Sequence, residues 1–166
     1  MMIPTIETER LRLRGWQERD FPAYAAYRAD AKSQMYLGDV MTRDQAWDRF
    51  CVDIGVWGLR GYGIFAIADL ASDEAIGYTG IWHPLMIDEP ELSWSLFPGH
   101  TGQGYASEAA LGARSWLYRS LNLPPMMSLI APGNHASKAV ARRLGAILER
   151  EFMLEGELRH LYRHPK

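Results

Sequence analysis

Residues 96 to 109 read Leu96-Phe97-Pro98-Gly99-His100-Thr101-Gly102-Gln103-Gly104-Tyr105-Ala106-Ser107-Glu108-Ala109. Ahead of this stretch, Glu91–Phe97 reads as a strand; after it, about Tyr105 to Leu121 reads as a long helix. The segment is therefore a glycine-rich turn that carries a strand into a helix. The first N–H groups of a helix have no partner inside it, and the macrodipole places partial positive charge there. Glycines let such a backbone come close to a phosphate, which makes the turn a candidate anion site. The alternative is a tight turn that needs glycine for its backbone angles alone, since a lone Gly-x-Gly is a weak signal.

Two common phosphate-binding arrangements do not fit. A Walker-type loop needs Gly-Lys-Ser/Thr, and no lysine lies near this turn. A dinucleotide fold places its glycines after the first strand, with an acid ending the next one. Here the turn falls past residue 100, and the following strand ends Leu129-Ile130-Ala131.

Working outward, Pro124-Pro125 breaks the chain before a strand at Met126–Ile130. Pro132-Gly133-Asn134 opens a helix to Leu144, which Gly145 ends. Strands at about Ile147–Leu154 and Leu158–Tyr162 close a hairpin around Glu155-Gly156. Toward the amino end, Ile76–Trp82 and Gly63–Ala68 form a hairpin with Asp73 in its turn. A helix from Arg43 to about Trp57 is capped by Thr42 and ended by the glycines at 55, 58, 61 and 63. Asp20 is expected to cap an earlier helix that presents Phe21, Tyr24, Tyr27 and Ala31 on one face. Leu11–Arg14 alternates as a half-exposed strand. The order β-α-α-β-β-β-α-β-α-β-β gives an α/β (α+β) protein, a mixed sheet flanked by helices, as one domain over residues 1–166.

The composition sets limits. Eighteen Lys+Arg against twenty Asp+Glu leave a net charge of −2, without the basic excess that nucleic-acid binding needs. The first twenty residues lack an apolar core, and the longest apolar run, Gly61–Leu70, is half of what a spanning helix requires. No secretory leader or membrane association is expected. The one cysteine, Cys51, has no bridge partner and is expected to be a buried, inert thiol. No Cys/His cluster has metal-ligand spacing, so a reducing, cytoplasmic setting without metal is expected. Six Trp and eight Tyr point either to an aromatic-lined pocket or to an aromatic-rich core.

Three blocks taken together resemble the GCN5-related N-acetyltransferase (GNAT) superfamily, most of all the branch that acetylates N-termini of ribosomal proteins. They are Thr8-Glu9-Arg10-Leu11-Arg12-Leu13, then Leu96-x-Pro98 leading into Gly102-Gln103-Gly104-Tyr105-Ala106-x-Glu108-Ala109, then Asn134-x-x-Ser137-x-x-Val140-Ala141-x-x-Leu144-Gly145-Ala146. The resemblance implies a GNAT-like, mostly antiparallel sheet and an acetyl-CoA-dependent N-acetyltransferase. It would acetylate a primary amine, either a protein N-terminus or a small molecule, by direct attack on the thioester. A homodimer is a fair default. The alternatives are a CoA-binding regulatory module without turnover and a ligand-free interaction domain.

Residue by residue, the family's pyrophosphate signature falls on Thr101, Gly102, Gln103, Gly104, Tyr105 and Ala106. Thr101 departs from it, standing where the family has Gln or Arg. The resemblance assigns the pantetheine arm to the backbone of Leu96 and Phe97 and to Asn134, which also reads as a plain helix cap. It gives Ser137 the protonation of the departing thiolate. Glu91 matches an acidic position some members use as base, and it also reads, with Asp88 and Glu89, as a solvated loop charge. Tyr36, with Leu37, lies where the family builds its acceptor site; Trp82 and His83, with Trp57 and Tyr62, are further lining candidates. Glu108 reads as structural, favouring the helix dipole.

Overall fold

The computed structural model of the protein describes residues 3–166. In chain order its elements are β1 (Ile6–Glu7), β2 (Leu11–Arg14), a 3-10 turn (Glu18–Asp20), α1 (Phe21–Ala29), α2 (Ala31–Gln34) and α3 (Arg43–Arg60). These are followed by β3 (Ile64–Asp69), β4 (Ala75–Trp82), β5 (Glu91–Leu96), α4 (Tyr105–Leu121), β6 (Met127–Ile130), α5 (His135–Arg143), β7 (Ile147–Leu154) and β8 (Glu157–Arg163). The strands form one sheet in the order β1-β2-β3-β4-β5-β6-β8-β7. Only the β5–β6 pair is parallel, which confirms the mostly antiparallel mixed sheet.

The apolar run of β3 shows how the layers form. Side chains alternate across a strand, so Phe65 and Ile67 face one core while Ile64 and Ala66 face the other. On the first face, α4 packs Ala109, Ala110, Ala113 and Leu117 over Leu11, Leu13, Ile81 and Leu92. Alanines at that spacing let the helix lie close to the strands. On the second face, α1 and α3 bring Phe21, Tyr24, Tyr27 and Phe50 over Trp16, Tyr78 and Phe97. Here the rings meet edge-on, as Trp16 and Tyr24 do at 5.1 Å and 81°. The aromatic excess is thus largely core, and so is Trp57, whose indole N–H donates to the Ile64 carbonyl at 3.0 Å.

Several expectations need correction. The strand β1 and the single turn α2 add to the expected order, being too short to leave a periodic signal. The helix α3 runs through Gly55 and Gly58 and stops only at Gly61, which takes the left-handed conformation at φ +70°. Its capping box, Thr42 with Gln45, starts it as expected. Asp20 does not cap α1; its carboxylate instead holds the buried Arg14 guanidinium at 2.7 and 3.0 Å. Ala31 and Cys51 are exposed, the latter because it lies on the solvent side of α3.

Candidate functional site

The glycine-rich turn meets α4 at Gly104, whose φ of +84° is open to glycine at little cost. A Cβ there would come no closer than 3.5 Å to Arg10, so the angle and not crowding requires glycine. No side chain caps this helix end, and the first bond back to the turn is Glu108 N–H to the Gly104 carbonyl. The preceding N–H groups, of Tyr105, Ala106 and Ser107, therefore lie ahead of the helical ladder. Glu108 itself fastens the turn. Its carboxylate accepts from Thr8 Oγ1 (2.6 Å), Arg10 N (2.9 Å) and Arg10 Nε (2.8 Å), while Arg10 Nη1 donates to the Gln103 carbonyl at 3.0 Å. The Arg10 guanidinium also covers the Tyr105 ring at 4.5 Å. Two of the separate sequence blocks thus form one clamp, and these bonds hold the Glu108 carboxyl below its ordinary range despite partial burial.

Beside the turn the sheet opens. Strands β5 and β6 pair in register only at Glu91 and Met127. Past that point side chains replace the ladder: Leu129 N–H donates to Glu91 Oε1 at 3.0 Å, and Ser128 Oγ donates to the Leu92 carbonyl at 2.5 Å. His164 Nε2 donates to Ser128 Oγ at 2.8 Å. Burial and the nearby Arg114 and Arg163 push that imidazole down to about 4, so it stays neutral. Alternate residues of β5 aim their backbone groups at alternate neighbours. Phe97 N–H donates to Ile76 on the β4 side, whereas the Leu92 carbonyl faces β6. Trp94 and Leu96 share the Leu92 direction, toward the gap.

Below the gap lies a cleft of about 790 Å³, bounded by Trp94, Leu96, Thr101, Gly102, Gly104 and Ala106 on one side and Asn134 and Ser137 on the other. Asn134 caps α5, its Oδ1 accepting from Ser137 N–H at 3.1 Å. A smaller hollow of about 370 Å³ adjoins it and holds Glu91, Trp82, Arg28, Asp53, Arg49 and Arg159 among its walls. Tyr36 and Leu37 belong to both hollows. The Tyr36 ring rests on Gly133, where a Cβ would lie 3.3 Å from it. Burial pushes the Glu91 carboxyl up to about 8, against the Leu129 N–H and the attraction of Arg159. It is no solvated loop charge.

Unpaired helix N–H groups suit a phosphate, and an unpaired strand edge suits an amide-bearing chain. The acetyltransferase (GNAT) domain family model matches residues 10–147 of this chain. The chain belongs to the GNAT acetyltransferase family. It is an acetyl-CoA-dependent N-acetyltransferase. It is similar to the uncharacterized N-acetyltransferase p20 of Bacillus licheniformis, with 30% identity over 161 residues, covering 93% of this chain and 85% of that one. It is also similar to the crystal structure of an acetyltransferase from Agrobacterium tumefaciens str. C58, at 38% identity and a TM-score of 0.90, covering 100% and 96% of the two chains. The fold is shared with RimL, a ribosomal L7/L12 alpha-N-protein acetyltransferase solved with coenzyme A, at 21% identity and a TM-score of 0.77, covering 97% and 96%.

For a GNAT enzyme, the structure gathers most of the expected site. Leu96, Thr101, Gly102, Gly104, Ala106, Asn134 and Ser137 border the larger cleft, and Tyr36, Trp82 and Glu91 the smaller hollow. Four expected residues border neither. Phe97 spends its N–H on Ile76 and its carbonyl on His100, so beside Leu96 it is Trp94, not Phe97, whose backbone is directed toward the gap. Gln103 gives its backbone carbonyl to Arg10, and the Tyr105 ring lies under the same guanidinium. His83 turns away to bond Tyr62, Nδ1 to hydroxyl at 2.9 Å, and its carbonyl takes Arg60. Ser107, whose buried hydroxyl has no partner at the edge of the cleft, and Arg28 were not anticipated. Arg28 follows Phe21 and Tyr24 at helical spacing, so its place on the buried face of α1 was there to be read. Among the described residues no cluster suits a metal ion, and no helix is long and apolar enough to cross a membrane.

Proposed function

We propose that acetyl-CoA occupies the larger cleft and that an amine reaches it from the smaller hollow. The parting of β5 from β6 carries this reading, because it presents unpaired backbone at Trp94 and Leu96 next to an uncapped helix start. In this reading the N–H groups from Thr101 to Ala106 receive the pyrophosphate, and the Arg10–Glu108 pair holds the turn in place behind them. Trp94 and Leu96 take the amides of the pantetheine arm as an added strand, and Asn134 flanks it. The turn's lack of Gln or Arg at Thr101 is offset by the Arg10 clamp.

A protonated amine is no nucleophile, so a group in the hollow must take its proton. Glu91 has the position and, with a carboxyl near 8, the basicity for that step, directly or through water. Backbone N–H groups along the parted strand face the oxygen on which negative charge develops. Ser137, half-buried at the start of α5, returns a proton to the leaving sulfur. The acceptor is a primary amine, a small molecule or a protein N-terminus.

We place the protein in the cytoplasm as one catalytic domain. The exposed Ile147, Leu148 and Met153 of the edge strand β7 support a homodimer. Calorimetric titration with CoA followed by a thiol-release assay over an amine and peptide panel tests the reading. Saturable binding with turnover is expected; binding without turnover returns the regulatory module, and no binding at millimolar CoA ends the proposal.

A further inference from the structure

The smaller hollow is rich in charge, and its charges are unequally matched. Arg49 pairs with Asp53 at 2.9 Å, and Arg159 with Glu157 at 2.6 Å. Glu155 is exposed to water. Two buried ionisable groups remain without an ion-pair partner among the described residues: Glu91 and Arg28.

Arg28 is the more unusual. It is only 7% exposed, standing on the core face of α1 and bordering the hollow. Three tyrosine rings enclose its guanidinium, Tyr24, Tyr27 and Tyr78, with centroids 5.0, 5.5 and 5.3 Å from Cζ. Of its five N–H groups one donates to the Tyr24 hydroxyl at 3.1 Å, and Nε is buried with no acceptor. Tyr24 in turn donates to Asp53, whose other oxygen already holds Arg49. The nearest carboxylate in this chain of bonds is therefore spent. A buried guanidinium normally meets a carboxylate, because withdrawing it from water unpaired forfeits its hydration without return. Ring faces offset part of that cost but supply no acceptor for the in-plane N–H groups.

We infer that the acceptor amine carries a carboxylate, which Arg28 binds while the amine faces Glu91: the acceptor is a small amino acid. This rests on the reading of the hollow as the acceptor site. The two unmatched groups have opposite character, as an amine and a carboxylate do, and a hollow of about 370 Å³ is at the small end of ligand sites. A guanidinium offers a carboxylate two parallel donors, so the contact would also fix the direction in which the amine points.

The test uses the full chain. Titration with CoA comes first; if none binds, the acetyltransferase site and this inference fall together. The CoA-saturated protein is then titrated with matched pairs: 4-aminobutanoate against 1-aminopropane, and glycine against glycinamide. The expected result is that the carboxylate-bearing member of at least one pair binds ten-fold or more tightly than its partner. Arg28→Gln abolishes that preference, and Arg28→Lys, which keeps the charge but not the fork, retains part of it. The wild-type comparison decides by itself should a variant fold poorly. Equal or tighter binding of the neutral partners, no binding of any member at tens of millimolar, or a preference that survives Arg28→Gln overturns the inference while leaving CoA binding intact.

Discussion

The two adjoining hollows are made of different material. The larger is built of main chain: a left-handed turn, an uncapped helix start and a strand edge left open. The smaller is built of side chains, Glu91, Arg28, Tyr36 and Trp82, brought from four separate segments. In the proposed reading, a main-chain site depends on backbone angles and tolerates exchange of side chains, Thr101 for the family's Gln or Arg included. A side-chain site has no such redundancy. The first hollow therefore suits a ligand common to a whole family, and the second suits the ligand that differs.

Mutations can break that contrast. The largest effect is expected from Gly104→Glu, which adds a strained φ of about 1 kcal/mol and sets a negative charge against the helix start. CoA affinity should fall a hundred-fold or more by calorimetry, whereas Gly104→Ala should lose far less. Unchanged affinity in Gly104→Glu would move the phosphate site elsewhere.

Glu91→Gln should spare CoA binding and lower kcat/KM by about 10²- to 10³-fold. The wild-type rate should climb as pH rises through about 8, where the base ionises, and this step should vanish in the variant. The sign for stability is the opposite. A carboxyl whose folded pKa is raised gives stability that is whole below its unfolded pKa, near 4.3, and lost as pH rises through the folded one. Glu91→Gln should therefore gain about 2 kcal/mol on the wild type between pH 6 and pH 9, measured by denaturant melts at both.

Ser137→Ala should reduce kcat by about ten-fold or somewhat more, with CoA affinity held. A loss smaller than two-fold would leave the hydroxyl as a plain first-turn residue. The smallest catalytic change is expected from Glu108→Ala. It removes the acceptor of three hydrogen bonds and should cost about 2 kcal/mol of stability, with CoA binding only several-fold weaker. If CoA binding vanished as in Gly104→Glu, the main-chain site would owe its shape to the clamp rather than to its own angles.

The contrast also explains what the sequence disclosed. The turn, the Thr42 and Asn134 caps and the alternation in β2 are local, so neighbouring residues announce them. Glu91 was legible as an acid but not as a buried one, because its burial comes from Leu129 and the parting strands far along the chain. That Phe97 faces β4 rather than the gap was not legible, because which edge a strand residue faces depends on register, which composition does not contain. His83 reads as lining by its place beside Trp82, yet it lies just past the end of β4, where bonds from Tyr62 and Arg60, distant in sequence, set its direction. Arg28 stands at helical spacing from Phe21 and Tyr24, so its face is legible, but an arginine's burial within an apolar stripe is not.

The gap between β5 and β6 has a thermodynamic consequence. A sheet that leaves a strand's place open is completed by whatever fills it, and a ligand bound only by the folded chain stabilises it in proportion to the logarithm of its concentration. With acetyl-CoA in that place at a hundred times its Kd, the gain is about 2.7 kcal/mol, enough to lower the unfolded population roughly a hundred-fold. The cell's supply of activated acetyl groups would then govern how long this enzyme survives proteolysis as well as how fast it works.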